Sequence, residues 1–130
     1  MNKEKIIVWM PRIMSVLFAL FLAMFSLDVF EPEKSAQEIA TGLLVHNAPV
    51  LFLAAVVALS WRRELVGGIT FITAGIFYIF MVMAGSLKNG VEWYMASWFL
   101  VISGPAFLIG ALYLLAWRQR KAKKTDRPSA

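Results

Sequence analysis

Residues 65–87 read LVGGITFITAGIFYIFMVMAGSL, 23 residues without one Asp, Glu, Lys or Arg. At about 1.5 Å per residue, a helix of that length crosses the ~30 Å hydrocarbon core of a bilayer. The rest of the chain repeats the pattern. Residues 39–61 and 93–117 are equally free of these four residue types, and residues 13–30 contain only Asp28. Backbone groups in lipid must be satisfied within their own segment, and these runs lack the alternation of barrel strands. The expected fold is therefore all-α, a four-helix transmembrane bundle with spans at about 9–30, 39–61, 65–87 and 93–117. It forms a single integral membrane domain over 1–130, ending in a basic tail at 118–130.

Composition points the same way. Of 130 residues 60% are hydrophobic and 16% charged, with a mean hydropathy of +0.69. Soluble domains typically hold about 45–50% apolar and about 25% charged residues. A soluble multidomain enzyme is excluded. The absence of cysteine removes disulfide frameworks, thiolate metal sites and Cys nucleophiles. Lys3, Lys5 and Arg12 before the first apolar run resemble a signal-peptide n-region. That run is longer than the usual ~7–15 residues and no A-x-A site follows, so it reads as a retained span.

Charge sets the orientation. With both termini and the 62–64 turn on one side, that side holds 11 of the 13 basic residues: Lys3, Lys5, Arg12, Arg62, Arg63, Arg118, Arg120, Lys121, Lys123, Lys124 and Arg127. Only Lys34 and Lys88 remain for the other. The positive-inside rule then places both termini in the cytoplasm of a multi-pass plasma-membrane protein. Trp9, Trp61 and Trp117 fall at the inner boundary, Trp93 and Tyr94 at the outer one. So strong a bias also argues against dual insertion as an antiparallel dimer. Arg12, Arg62, Arg63, Arg118, Arg120, Lys121, Lys123 and Lys124 are expected to fix topology and contact anionic headgroups. No nucleic-acid partner is expected, because aromatics are not interleaved with the charge.

Two ionisable residues lie at membrane depth, where each calls for a partner or a role. Asp28 is 16 residues beyond Arg12 and His46 is 15 before Trp61, which puts them ~24 and ~22 Å from one boundary. Together with Asn47 they form a candidate intramembrane polar site that could carry a proton. The plainer reading is that Asp28 is interfacial, continuing Glu31 and Glu33, and that His46 bonds a backbone carbonyl. No catalytic residue, metal set or cofactor is expected. One histidine cannot supply bis-histidine haem ligation, and no nucleophile elbow surrounds Ser103.

Pro49 and Pro105 interrupt two spans and remove the N–H partners of the Val45 and Val101 carbonyls, marking helix kinks. Sliding the chain by 56 residues aligns 44–62 with 100–118, with seven identities in 19 positions. Either a duplicated hairpin or the shared way an outward-to-inward helix ends in Trp-Arg accounts for this. Gly68 and Gly75, two turns apart, give the third helix a small face, and Ala106 and Gly110 form a small-xxx-small pair on the fourth that could meet it. Glu64 is expected to pair with Arg62 or Arg63 beside it.

Taken together, Pro11-Arg12, FSLDVF at 25–30, His46 with Pro49, WRRELVGG at 61–68, IFY at 76–78 and Ser103-Gly104-Pro105 with Gly110 resemble a family of uncharacterised small prokaryotic four-span membrane proteins, a domain of unknown function. The resemblance covers about residues 9–117. It implies the architecture and supplies no reaction, substrate or cofactor; it adds interest to Arg12, Asp28, His46 and Glu64. Where that family has an apolar pair after the histidine, this chain has Asn47-Ala48. The expected role is that of a non-enzymatic accessory or homo-oligomeric membrane protein packing through its Gly-rich third helix. A second reading is a small transporter or proton pathway using Asp28 and His46.

Overall fold

The computed structural model describes residues 2–24, 35–90 and 93–126, apart from the side chains of His46, Lys88 and Asn89. All regular structure among them is helical: α1 Lys3–Met24, α2 Ala36–Ser60, α3 Glu64–Asn89, α4 Tyr94–Trp98, a π-helical turn Phe99–Ser103, and α5 Gly104–Thr125. Lys3–Met24, Glu64–Leu87 and Tyr94–Thr125 are each long and apolar enough to cross a membrane. A fourth such span is α2, if its two halves on either side of residue 46 count as one. The helices outrun the apolar stretches. α1 begins at Lys3, and α5 continues to Thr125, about two turns beyond Trp117.

Local chemistry sets the ends. Ser35 opens α2 through a capping box. Its backbone N–H donates to Glu38 Oε2 at 2.9 Å, and Glu38 N–H donates to Ser35 Oγ at 3.3 Å, satisfying two orphan donors reciprocally. At the other end of the hairpin α3 stops at Gly90, whose φ of 89° is one that side chains with a Cβ rarely adopt.

The two internal prolines are accommodated differently. α2 bends by 42° between Ala36–Val45 and Asn47–Ser60, one turn before Pro49, where the missing N–H leaves the Val45 carbonyl without its helical partner. Pro105 instead falls in the first turn of α5, where no intrahelical donor is required. The π turn makes this possible: Gly104 N–H reaches back five residues to the Phe99 carbonyl, and buried Ser103 Oγ donates to the Gly75 carbonyl of α3 at 3.1 Å. Prolines at matching positions of the 56-residue register thus sit in unlike local structures.

α3 and α5 form the most extensive packing, with α1 set against α5 and α2 against α1 and α3. The α3–α5 seam is a backbone-to-backbone approach. A Cβ added to Gly110 would lie 2.7 Å from Ile72 Cγ1 and 3.1 Å from the Gly68 carbonyl oxygen, and one added to Gly68 would lie 2.6 Å from Leu114 Cδ2. Gly75 accommodates the Phe107 ring in the same way, at 2.8 Å. Beside the seam Phe18, Phe71 and Tyr113 pack in sequence, the first pair tilted and the second stacked, with ring centroids 6.3 and 6.1 Å apart, inside a core that includes Leu53, Val56, Ala106 and Ile109. Outward-facing positions are apolar too: Leu17, Leu20, Phe52, Phe77, Phe80 and Leu100 are all more than half exposed. Such a surface suits hydrocarbon and not water.

Gly110→Ala should lower the thermal midpoint in detergent by the equivalent of about 1–3 kcal/mol, since backbone cannot yield as a side chain can. Gly85→Ala, where nothing lies within 4 Å of the new Cβ, should hold or raise it through helix propensity. Equal losses at the two positions would show that the seam is not close.

Candidate functional site

The 61–63 turn joins the carbonyl end of α2 to the amide end of α3, so partial charges of opposite sign meet within a few residues. Each is answered by a side chain. Glu64, the first residue of α3, places its carboxylate at a helix N-terminus, where negative charge is favoured. Arg12, from the middle of α1, donates from Nη2 to the Trp61 carbonyl oxygen at 2.8 Å and so caps the end of α2.

These groups form one buried ion cluster. The Glu64 side chain is 5% exposed, its Oε1 lying 2.9 Å from Arg120 Nε and 3.9 Å from Arg12 Nη2. The Arg12 side chain is 13% exposed and that of Arg120 48%. Glu64 Oε1 has no aligned hydrogen bond among the described residues, and neither has Arg12 Nε. The short Arg120 separation is therefore a Coulombic pair whose N–H does not point at the oxygen. Arg12 is further held between two indoles, its Cζ 5.6 Å from the Trp9 ring and 5.9 Å from that of Trp61, close enough for cation–π attraction. One turn deeper, Ser15 Oγ donates to the Arg12 carbonyl at 2.9 Å. That leaves Tyr113 to donate its phenolic hydrogen back to Ser15 Oγ, 3.0 Å away. Gly67 leaves room for this layer: a Cβ there would meet Ser60 Oγ at 2.6 Å and Tyr113 Cδ2 at 2.9 Å.

Several sequence expectations change here. Glu64 pairs with Arg12 and Arg120, 52 and 56 positions away, and not with adjacent Arg62 or Arg63, which are exposed. Its direction follows from α3: the first-turn side chain projects across the bundle toward α1 and α5, away from the turn that precedes it. Arg120 reaches in to buried Glu64, and Lys123 pairs with Glu4 of α1 at the surface. Lys121 lies over the Trp117 ring at 5.2 Å, while Arg118 and Lys124 are exposed. The tail to Thr125 is helical and docked on α1. Gly68, Gly75 and Gly110 lie in the α3–α5 seam, and Ala106 is in the core. Asn47 and Pro49 lie on α2 past its bend, and Pro105 opens α5. Asp28 and the His46 side chain lie outside the described residues, and with them the proposed pairing. Among the described residues no three metal-ligating side chains converge.

A model of a domain of unknown function (DUF7670) matches residues 1–125. The chain belongs to the DUF7670 family. No curated protein and no solved structure matches it. The match takes in the whole cluster of this DUF7670 chain, from Arg12 to Arg120, and carries no stated activity. One signal could have located the cluster beforehand: Glu64 is the only acid within a turn of an apolar span boundary on the basic side.

Glu64→Ala should destabilise the protein by about 3 kcal/mol, because it strands the Arg12 charge in a nearly dry site. Arg120→Ala should cost only about 1 kcal/mol, its guanidinium being half in solvent. Thermal unfolding in detergent, arranged as a double-mutant cycle, checks the order. Equal losses would show that Arg12 does not depend on Glu64.

Proposed function

We propose that the chain is a multi-pass protein of the prokaryotic plasma membrane with both termini in the cytoplasm, and that it serves as a non-enzymatic accessory or oligomeric component. The observation that supports this best is the distribution of charge in space. The start of α1, the end of α5 and the 61–63 turn meet at one end of the bundle, where Arg12, Glu64 and Arg120 close the interior with an ion cluster. Beyond it the described helices carry no Asp, Glu, Lys or Arg until Glu38 and Lys88 at the opposite end, and the interior is filled with Phe18, Phe71, Ile109 and Tyr113. A packed, apolar interior suits a structural component better than a conduit. A proton path from Asp28 and His46 toward the termini would have to cross this aromatic layer.

The mode of association is narrower than the sequence suggests. Gly68 and Gly75 are covered within the chain by Leu114 and Phe107, so a partner helix has to meet another face of the bundle. Anionic headgroups around the basic end are the expected lipid partners, each cation near the surface contributing about 1 kcal/mol.

Alkaline carbonate should leave the protein in the membrane pellet. A C-terminal alkaline phosphatase fusion should be inactive while a C-terminal fluorescent fusion glows. Release into the carbonate supernatant would overturn the membrane reading, and an active phosphatase would reverse the orientation. Purification in native lipid should bring down a stoichiometric partner or a homo-oligomer; a strictly monomeric, partner-free protein would remove the accessory role.

A further inference from the structure

At the end of the bundle that carries the termini, α1 and the tail of α5 run antiparallel and leave a groove of about 300 Å³ between them, at the lower end of ligand-sized clefts. Its lining is graded along the helix axes. Val8 and Trp9 of α1 and Ala116 of α5 form the membrane-proximal end. About one turn further out, Lys5 stands on one wall and Gln119 and Arg120 on the other. The outer end is closed by the ion pair of Glu4 with Lys123.

We infer that this groove is a binding site for one anionic phospholipid, its phosphate held between Lys5 and Arg120 and its glycerol and acyl chains running down over Trp9 and Ala116. The inference rests on the membrane reading given above and deepens it. Three features carry it. First, the polarity gradient is that of an amphiphile, apolar toward the hydrocarbon and cationic about 6 Å further out, at the level above the Trp9 ring where headgroups lie. Second, two of the lining cations are accessible. Arg120 approaches Glu64 with Nε and its side chain is half exposed, and Lys5 is exposed where it lines the groove. A planar guanidinium is well matched to a phosphate. Third, Glu4 is already engaged by Lys123, so the acid in the lining does not cancel the charge that faces the groove. A zwitterionic choline headgroup would bring its own cation against Lys5 and Arg120; a phosphatidylglycerol-type headgroup would not.

The full-length protein, purified in mild detergent, is titrated with phosphatidylglycerol and with phosphatidylcholine, and bound lipid is counted by native mass spectrometry. Phosphatidylglycerol should be retained in preference. Lys5→Gln and Gln119→Glu, both exposed and outside the Glu64 cluster, should each weaken it about fivefold, the factor that about 1 kcal/mol per charge gives. Arg118→Gln, an equal loss of charge at an exposed position that does not line the groove, should change it less than about twofold. Equal retention of the two lipids, or an Arg118→Gln effect as large as that of Lys5→Gln, would reduce the site to diffuse attraction by a basic tail and overturn the proposal. Competition by inorganic phosphate as effective as that by lipid would reassign the groove to free phosphate and equally overturn it. A protein that stays in the carbonate pellet but shows no lipid preference loses this site alone; one released by carbonate loses the membrane reading as well.

Discussion

A carboxylate that is 95% buried requires compensation, and the arrangement of the long helices at one end of this bundle follows from how Glu64 obtains it. Its own helix supplies the first part, since the amide end of α3 favours negative charge. α1 supplies Arg12 and α5 supplies Arg120, at 3.9 and 2.9 Å, and α2 is drawn in because the same Arg12 caps its last carbonyl. Removing two charges from water is costly, and a buried pair adds little net stability over an apolar substitute. What the cluster supplies is mutual placement: Arg12 and Glu64, both largely buried, would each lose a compensating charge if the other's helix left.

The second constraint is distance. Glycines 68 and 110 let α3 and α5 approach until their backbones nearly touch, and no side chain larger than hydrogen fits there. In a bilayer, where lipid tails are as apolar as Leu, such close van der Waals contact is what holds helices together. Seam and cluster reinforce each other. Drawing α5 onto α3 carries Arg120 to Glu64, and the Ser15–Tyr113 hydrogen bond ties α1 to the same pair one turn deeper. The outward surface is left largely to apolar side chains, with most of the described cations gathered at the end where Lys5, Arg120 and Lys123 rim the groove.

Much of the helical content could be read from the chain because it depends only on local composition. The 65–87 run has no charge to end it, and the helix that contains it, Glu64–Asn89, starts and stops beside that run. Pro49 and the bend before it, and Gly68 facing Gly110, were likewise visible as residue types with few structural uses. The pairing of Glu64 was not visible. Sequence proximity favours Arg62 and Arg63, yet a first-turn side chain points across the bundle, and which distant arginine it meets depends on how α1 and α5 pack. The docking of the tail was hidden for the same reason: a run of Lys and Arg reads as solvated charge until Glu4 and Glu64 are placed beside it.

Hydrophobic run length and charge asymmetry are properties of the chain itself. They determined that it is helical, that three or four of its helices are long enough to cross a membrane, and that its basic residues gather toward one side. Tertiary structure decided which charges meet: Arg12 and Arg120 on Glu64, Lys123 on Glu4, and Lys5 left facing a groove. It also decided that the glycine face of α3 is covered from within, by Leu114 and Phe107 of the same chain. The physical reason is range. Helix formation needs neighbours only three or four positions apart, whereas an ion pair across a bundle is set by the crossing of helices more than fifty residues apart, and no local pattern encodes that geometry.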